Sequence, residues 1–358
     1  MRIFQVIARV NQGGTASWLE TLVDGLRGRG HQVDLFAGFV EEFEHEDACF
    51  ERLLGRRIIG LSKSIAPMAD IKSIIAFRKI LKSEVPDVIN THTSKAGVIG
   101  RIAAFGLPVR VIHTYHGHTL HGYFSKYKST FFAHIEKQLA HKTDVIIAVG
   151  KKVMDELVQA GIGNQEQYKV IYPGIKKIDF ESRSKARILL SIGEEDIVVG
   201  WLGRLTKIKV PEKVLSLAAE FPETQFIIGG DGELMASLKS LLPSNVRMLG
   251  WVDPKIFWPA CDLGILTSLN EGLPTAIIEA QLASIPVVSF NVGSVGEIVE
   301  NGKSGYICNT DSEFKIRFAE LIADPKRQVS MGTSGLQRCS SLFEVERFID
   351  AHLSIYKS

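Results

Sequence analysis

Short apolar runs alternate with longer segments of helical period along the whole chain, which is the pattern of β-α-β units built around a parallel sheet. In the first half this pattern predicts strands at 3–8, 33–37, 57–61, 87–91, 109–115, 145–149 and 169–172. After Pro173-Gly174 and a polar stretch the alternation starts again, and it predicts strands at 197–202, 225–229, 246–249, 263–267 and 287–290.

Apolar residues at helical spacing predict the intervening helices and the face that each of them buries. One such face runs from Trp18 to Leu26, and a second comprises Ile71, Ile74, Ile75, Arg78 and Leu81. The last stretch, 343–356, has the same spacing and is predicted to pack back onto the first domain.

The length and the restart of the pattern indicate two α/β domains. A chain of 358 residues is long enough for two domains that each bury their own core. We predict a first domain at 1–168 completed by 343–358, a second at 169–342, and a linker around 165–180.

Composition excludes several classes of protein. With 45% apolar and 23% charged residues and a net charge of +2, long disorder and nucleic-acid binding are not expected. The four cysteines are far apart, which predicts buried free thiols in a reducing compartment instead of a zinc or redox site. The first apolar run is too short for a signal peptide and no run reaches 18 residues, so we expect a cytoplasmic protein without a membrane span.

Three loops carry candidate chemistry. Gly13 and Gly14 lie between the first strand and the first helix, where backbone N–H groups favour phosphate; the alternative is a tight turn with Thr15 or Ser17 as helix cap. Arg204 and Lys209 follow the first strand of the second domain beside Gly203. Two cations at a strand end suit a diphosphate, and the alternative is a solvated basic loop.

The third loop, 268–280, holds two glutamates separated by seven residues across a loop-to-helix junction. We expect Glu271 in the loop and Glu279 on a later turn of the helix, because Pro274 is tolerated in a first helical turn. The alternative, helix capping by Glu271 and a surface salt bridge at Glu279, fits poorly because 276–280 is otherwise apolar.

These strings, with Ile228-Gly229-Gly230-Asp231-Gly232-Glu233-Leu234 between them, resemble in order and spacing the retaining GT-B glycosyltransferases of glycosyltransferase family four. The resemblance covers nearly the whole chain. It implies a GT-B fold, an α/β architecture in which two Rossmann-like domains face each other across a deep cleft and a C-terminal helix crosses back to the first domain.

The resemblance also implies roles for the motif residues. Arg204 and Lys209 would hold the donor diphosphate, Glu279 the ribose and Glu271 the donor sugar, with Arg204, Lys209, Glu271 and His116 as the catalytic set. Further donor contacts would come from Gly13, Gly14, Gly203, Gly230, Trp251, Val252, Gly272, Leu273, Pro274 and Thr275. One departure is Val210, which stands where the family usually has glycine.

A histidine-rich run, 113–121, follows a first-domain strand and raises the question of a metal site. On an extended strand the side chains of His113 and His116 point to opposite faces, so we expect no metal. The resemblance assigns His116 to the reacting sugar and Lys95, Arg101 and His118 to the acceptor. His92 is equally compatible with a structural role at a strand end.

The segment 123–132 mixes aromatic and basic residues without acids, which suits a lipid headgroup layer or a polyprenyl-diphosphate acceptor. An ordinary helix packed on the core fits its spacing equally well. Any membrane contact would then be peripheral, at the inner face of the cell membrane.

The resemblance therefore implies a retaining, metal-independent enzyme without a cofactor. It would transfer a hexose or N-acetylhexosamine from a UDP-sugar to a glycan or lipid-linked acceptor of cell-surface polysaccharide or lipopolysaccharide; GDP-mannose is the alternative donor. A nucleotide-sugar epimerase would need Gly-x-Gly-x-x-Gly and a Tyr-x-x-x-Lys pair, which the corresponding segments lack. A two-lobed sugar-binding protein without activity is the alternative of another class.

Overall fold

The computed structural model of the protein describes residues 1–41, 44–62, 64, 66–117 and 126–358, the last range with side chains from residue 130 onward. These residues form two compact units, Met1–Lys176 with Phe343–Ser358, and Lys177–Leu342. Each unit is built on its own parallel sheet, as the alternating pattern predicts.

The first unit contains a seven-stranded sheet with the order β3-β2-β1-β4-β5-β6-β7, all parallel. Its strands are β1 Arg2–Ile7, β2 Gln32–Ala37, β3 Arg56–Arg57, β4 Val88–His92, β5 Arg110–Tyr115, β6 Val145–Ala148 and β7 Tyr168–Val170. Its helices are α1 Gly14–Gly28, α2 Cys49–Arg52, α3 Pro67–Glu84, α4 Ser94–Ala104, α5 Lys126–Ala140, α6 Lys151–Gln159 and, at the end of the chain, α15 Val345–Lys357.

Both faces of this sheet are buried, and successive residues of β1 serve opposite faces. Ile3 and Ile7 pack in one cluster with α1 and α15, whereas Phe4 and Val6 pack in another with α3 and α4. The final helix therefore belongs to the core of the first unit, as predicted.

Two local predictions for the first unit are wrong. The strand expected at 57–61 is only β3, because the chain turns at Gly60 with a φ of 83°. Helix α3 exists, but its predicted buried face is rotated. Ser73, Phe77 and Leu81 are buried against the sheet, while the side chains of Ile71 and Ile75 are 53% and 64% exposed.

The second unit contains a six-stranded parallel sheet with the order β10-β9-β8-β11-β12-β13. Its strands are β8 Val198–Leu202, β9 Gln225–Gly229, β10 Val246–Gly250, β11 Leu263–Leu266, β12 Val287–Phe290 and β13 Gly305–Cys308. Its helices are α7 Arg183–Leu190, α8 Glu212–Glu220, α9 Met235–Lys239, α10 Pro254–Phe257, α11 Thr275–Leu282, α12 Val295–Ile298, α13 Asp311–Ile322 and α14 Pro325–Leu342; short 3-10 turns lie at Gln165–Gln167 and Trp258–Ala260.

The two units divide after β7, at Lys176/Lys177, whereas the sequence predicts a boundary at 168/169. The reason is that β7 pairs with β6, with Tyr168 opposite Ile146. The edge strand β13 has no counterpart among the predicted strands, because its four residues carry no alternation long enough to stand out.

The central strand of the second sheet, β8, pairs with β9 on one side and β11 on the other. Since the carboxyl ends of parallel strands meet at one edge, the loops after these strands lie side by side. All four cysteines are buried and free, and within the described parts of the chain no helix is long and apolar enough to cross a membrane.

Candidate functional site

An ion pair joins the loop after β8 to the loop after β11. Lys209 Nζ lies 2.5 Å from Glu271 Oε1, with side chains that are 21% and 9% exposed. Ser268 Oγ donates to the same carboxylate oxygen at 2.6 Å. The other oxygen, Oε2, makes no hydrogen bond to any residue that the structure describes, so it is available to a ligand.

Backbone contacts hold these two loops in register. Thr267 Oγ1 donates to the Lys209 carbonyl at 2.8 Å and accepts from Trp201 Nε1 at 2.9 Å. Leu269 N donates to the Ile208 carbonyl at 2.9 Å. The next residue after the lysine, Val210, has a φ of 47°, in the left-handed region that glycine favours. The loop therefore adopts the shape a glycine would allow, although valine stands there.

Glycines bring the loops after β8, β9 and β10 into backbone contact. Gly203 N donates to the Gly229 carbonyl at 3.0 Å, and Gly230 N donates to the Gly250 carbonyl at 2.6 Å. A Cβ on Gly230, whose φ is 125°, would lie 1.9 Å from the Gly203 carbonyl oxygen. Only glycine fits at this position, so Gly230 shapes the edge of the site through its backbone.

Arg204 is exposed next to this glycine contact. Among the described residues, no carboxylate lies within ion-pair distance of its guanidinium. Together with Lys209 it places two cations at the same sheet edge, and a guanidinium without an internal partner is suited to bidentate contact with phosphate oxygens.

Helix α11 begins directly after this loop. Pro274 precedes its first residue, Thr275, and no side chain caps the helix. Its first backbone N–H groups therefore point out of the helix, where they favour an anion. Sequence reasoning missed the support behind this loop: a Cβ on Gly293 would lie 1.8 Å from the Glu271 carbonyl oxygen, and Ser294 N donates to the Gly272 carbonyl.

Glu279 lies on the second turn of α11, as predicted. Burial raises the pKa of its carboxyl from 4.5 to about 7, the indole N–H of Trp258 partly offsets this rise, and the charge of Asp253 adds to it. Neither Trp258 nor Asp253 is evident from the motif, because both come from the segment after β10. Glu279 is thus a carboxylate surrounded mainly by apolar side chains. Such a group needs a polar partner to offset the cost of its burial.

Trp251 and Val252 follow β10 at the same sheet edge. The indole of Trp251 is 67% exposed, and Val252 packs against the backbone at Gly229. An exposed aromatic side chain beside exposed loop backbone can stack on or pair with a flat ring.

In the first unit, Gly13 precedes α1 with a φ of 140° and no side chain caps the helix. Helix α1 starts at Gly14, so Thr15 and Ser17 lie inside it and neither acts as the cap. Gly13 and Gly14 therefore present uncapped backbone at the start of α1. This arrangement is compatible with phosphate binding by the loop.

His116 follows β5 and is packed into a group of aromatic rings. Its Nε2 lies 3.0 Å from Nδ1 of His92, and its ring is 4.7 Å from the indole of Trp18 in an edge-on arrangement. Burial, assisted by the charge of His352, lowers the pKa of His116 to about 3. His116 is therefore neutral at neutral pH.

His113 points to the opposite face of the sheet, where Thr91 Oγ1 lies 2.8 Å from its Nδ1. It is fully buried, and burial lowers its pKa well below the ordinary value. Within the described residues, no group of three or more His, Cys, Asp and Glu side chains is arranged to hold a metal ion.

The structure separates the residues expected at the acceptor. Lys95 pairs with Asp70 at 2.5 Å and donates to the Ser64 carbonyl. Arg101 is 1% exposed and bonds Glu136 at 2.6 Å, a carboxylate that also accepts from Tyr115. Arg101 therefore braces α4 against α5 through a buried ion pair. His118, residues 123–125 and the side chains of 126–129 lie outside the described part of the chain.

Comparisons with known proteins agree with this geometry. Residues 12–177 match the family described as Glycosyltransferase Family 4, and residues 182–338 match Glycosyl transferases group 1. The chain belongs to the glycosyltransferases of family 4, and its two parallel-sheet domains have the GT-B fold.

Individual relatives include glycosyltransferases named for a diphosphoundecaprenol-linked acceptor and for O-antigen biosynthesis. The Escherichia coli UDP-Gal:alpha-D-GlcNAc-diphosphoundecaprenol alpha-1,3-galactosyltransferase is 29% identical over 83% of this chain and 81% of its own length. The E. coli O-antigen biosynthesis glycosyltransferase WbnH is 28% identical over 98% of this chain and 97% of its own. The crystal structure of Anabaena HepE with UDP and glucose has a TM-score of 0.82 at 23% identity, covering 99% of both chains.

Proposed function

We propose that this protein is a retaining, metal-independent glycosyltransferase that transfers a hexose or N-acetylhexosamine from a UDP-sugar to a lipid-linked glycan in cell-surface polysaccharide assembly. The observation that carries the proposal is the sheet edge of the second unit. There Lys209 is paired with Glu271 beside an unpaired Arg204, and Glu279 lies half-buried on the following helix.

Each of these groups suits one part of a nucleotide sugar. Arg204, Lys209 and the first N–H groups of α11 bind the diphosphate, whose negative charge grows as the sugar–phosphate bond breaks. Glu279 accepts hydrogen bonds from the ribose hydroxyls, and the free oxygen of Glu271 accepts from the sugar. Trp251 and the backbone at Val252 and Gly230 contact the base.

The choice of uridine rests on the relatives. The E. coli galactosyltransferase is named for UDP-Gal, and the HepE structure contains UDP with glucose. A guanosine diphosphate sugar such as GDP-mannose is the competing donor, and the binding experiment below separates the two.

A divalent metal is not needed if the protein's own cations neutralise the leaving diphosphate. Arg204 and Lys209 supply two fixed positive charges at one loop. Transfer with retention then proceeds by attack of the acceptor hydroxyl on the face from which the diphosphate departs. The new glycosidic bond forms as the sugar–phosphate bond breaks, and the hydroxyl proton passes to the leaving diphosphate oxygen. The first unit contributes Gly13, Gly14 and His116, which we assign to the phosphate and to the reacting sugar.

A lipid-linked acceptor requires access to a membrane surface, and the first unit carries a surface suited to it. Exposed apolar side chains of α3, the end of α4 and α5 surround a groove lined by Ile74, Arg78, Arg101, Ile102, Phe105, Leu139 and Lys142. Phe105 and Phe131 are 59% and 63% exposed, and Lys142 Nζ lies 5.2 Å from the centre of the Phe105 ring.

The charge of this surface is positive. Exposed lysines border the apolar side chains, and within the described residues none of them has a carboxylate partner: Lys72, Lys79, Lys82 and Lys142. Apolar and aromatic side chains framed by unpaired cations match an anionic lipid headgroup layer. We therefore assign peripheral membrane contact to the α3–α5 surface.

The experiment that tests the donor site is a thermal-shift panel of UDP, GDP, ADP and their sugar conjugates, each with and without EDTA. A ligand at 100 times its dissociation constant adds about 2.7 kcal/mol of stability. We expect UDP and one UDP-sugar to stabilise the wild type in EDTA and Glu279→Ala to lose this response. The control variant Lys207→Ala, which changes an exposed lysine of the loop after β8, should keep the response.

Other outcomes are equally informative. Stabilisation by guanosine nucleotides alone would replace the UDP assignment by GDP. Stabilisation only without EDTA would overturn metal independence, and an equal response of Glu279→Ala and wild type would overturn the ribose assignment.

A further inference from the structure

A layer of polar side chains crosses the buried face of the first sheet that α1 and α15 cover. Gln5, Asn90, His92 and Thr114 all lie on this face and are fully buried. Their neighbours on the same face are apolar, such as Ile3 and Ile112. Buried polar groups cost stability unless they are paired, and the covered faces of parallel sheets are normally apolar. The members of this layer therefore require hydrogen-bond partners within the fold.

The layer forms a continuous chain of hydrogen bonds from α15 to His116. The Tyr356 hydroxyl accepts from Gln5 Nε2 at 3.1 Å and from Asn90 Nδ2 at 2.9 Å. Gln5 Oε1 lies 2.7 Å from His92 Nε2. His92 Nδ1 in turn lies 3.0 Å from His116 Nε2. Three hydrogen bonds thus connect the last helix with the candidate catalytic histidine.

The donors at the start of this chain determine the proton positions at its end. Because Gln5 donates from its amide nitrogen to Tyr356, its oxygen accepts a hydrogen bond from the N–H at His92 Nε2. A neutral imidazole has one N–H, so Nδ1 of His92 is an acceptor and His116 must donate to it from Nε2. His116 is then left with a lone pair on Nδ1.

Packing keeps both rings in this arrangement. The indole of Trp18 contacts His116 and His92 edge-on, with ring centres 4.7 and 5.1 Å apart. The same indole contacts Phe348 and His352 of α15. Rotation of either imidazole would therefore disturb the packing of α1 and α15.

We propose that His92, held by Gln5 and Tyr356, is a positioning residue that fixes the tautomer of His116, with the proton on Nε2 and with Nδ1 presented to a hydroxyl of the sugar substrate. This inference rests on the proposed role of His116 in the transferase. Helix α15 then takes part in orienting His116, through the hydroxyl group of Tyr356.

The direct test is histidine-selective ¹⁵N NMR of the full chain, with the His116 signals assigned by comparison with His116→Gln. We expect a neutral His116 protonated on Nε2 in the wild type. In Tyr356→Phe the Gln5 amide loses its acceptor and can rotate by 180°, which exchanges its oxygen and nitrogen. We therefore expect His116 to populate both neutral tautomers. A wild-type His116 protonated on Nδ1, or an unchanged spectrum of Tyr356→Phe, overturns the proposal.

A kinetic test separates positioning from mere structural support. The reaction is hydrolysis of the nucleotide sugar that stabilises the wild type in the thermal-shift panel. We expect His92→Phe to lower kcat about 10- to 100-fold, toward the lower end of what a positioned acid–base group contributes, with the donor KM within about twofold. His92→Asn should recover most of kcat, because its side-chain oxygen can replace Nδ1 as the acceptor.

The variant His116→Ala distinguishes failure of the positioning role of His92 from failure of the proposed role of His116 in transfer. If His116→Ala lowers kcat strongly while His92→Phe does not, the positioning role is wrong and the proposed function stands. If His116→Ala has no effect, the role of His116 in the proposed function itself fails. Should His92→Phe not fold, Tyr356→Phe decides the question, since it removes one oxygen atom and an unchanged kcat with an unchanged tautomer rejects the positioning role.

Discussion

Lys209 Nζ and Glu271 Oε1 lie 2.5 Å apart although their residues are separated by 62 positions in the sequence. This contact brings two separate motifs together, because it ties the loop after β8 to the loop after β11, which we propose to bind the diphosphate and the sugar. It also holds the lysine ammonium in place beside the Glu271 carboxylate.

Removal of either partner of this pair should damage catalysis more than folding. We expect Lys209→Ala and Glu271→Ala each to lower kcat/KM for the donor by about 10²–10³-fold, the range seen when one charge-stabilising group is lost. The double variant should fall well short of the product of the two effects, because each partner orients the other. Lys207→Ala, in the same loop, should stay within about twofold, and a similar loss in that control would contradict a specific role for the pair.

Glu279 should make stability depend on pH in a defined direction. Its pKa is 4.5 when unfolded and about 7 when folded, so the folded state binds more protons between these values. Its contribution to stability is therefore complete below pH 4.5 and is lost as the pH rises through 7. We expect Glu279→Gln to be more stable than the wild type at pH 8, by about 1–3 kcal/mol because the carboxyl is partly exposed, and nearly equal at pH 4.5.

Chemical denaturation at both pH values, monitored by tryptophan fluorescence and circular dichroism, measures this difference. A difference in unfolding free energy between the wild type and Glu279→Gln that is largest at low pH would contradict the raised pKa of Glu279. The same variant links the group to the donor, since UDP binding to the carboxylate should strengthen in the wild type as the pH rises through 7 and should not do so in Glu279→Gln.

Val210→Gly should relieve backbone strain. A β-branched residue at a φ of 47° is held in a region that costs L-residues roughly 1–2 kcal/mol, and glycine loses about 0.5–1 kcal/mol through the greater freedom of the unfolded chain. We expect a net gain of up to ~1.5 kcal/mol in unfolding free energy, with UDP affinity within about twofold of the wild type. Val210→Ala keeps the Cβ and serves as the control; equal stability of the two variants would mean that the strain is absent.

The α3–α5 surface should bind anionic vesicles. We expect wild-type protein to float with vesicles of phosphatidylglycerol and phosphatidylethanolamine and to be released as salt is raised, since charge attraction is screened. Ile75→Ser with Phe105→Ser should reduce the bound fraction several-fold while the response to UDP persists. Val329→Ser, which replaces an equally exposed apolar side chain of the second unit, should bind as the wild type does; flotation unaffected by the double variant would locate membrane contact elsewhere.

The sequence by itself determined what depends on local pattern. Alternating runs at 3–8 and 225–229 predict buried parallel strands because both faces of such strands are apolar, and the two units follow from the restart of that pattern. The loops that carry Arg204, Lys209 and Glu271 were recognisable because glycines and charged residues stand together after apolar strands there, a pattern that suits phosphate binding. Glu279 was recognisable as a carboxylate among apolar residues, which has no structural reason to be there.

Tertiary structure decided what depends on which surfaces meet. Helix α3 has apolar residues on more than one face, and only packing against the sheet selects Phe77 over Ile75. Arg101 and Lys95 are equally basic in the sequence, yet one is buried against Glu136 and the other forms a half-buried pair with Asp70. The hydrogen-bonded chain from Tyr356 to His116 joins residues of β1, β4, β5 and α15, and no pattern in one segment reveals it, because each of its bonds forms between elements that only the folded sheet brings together.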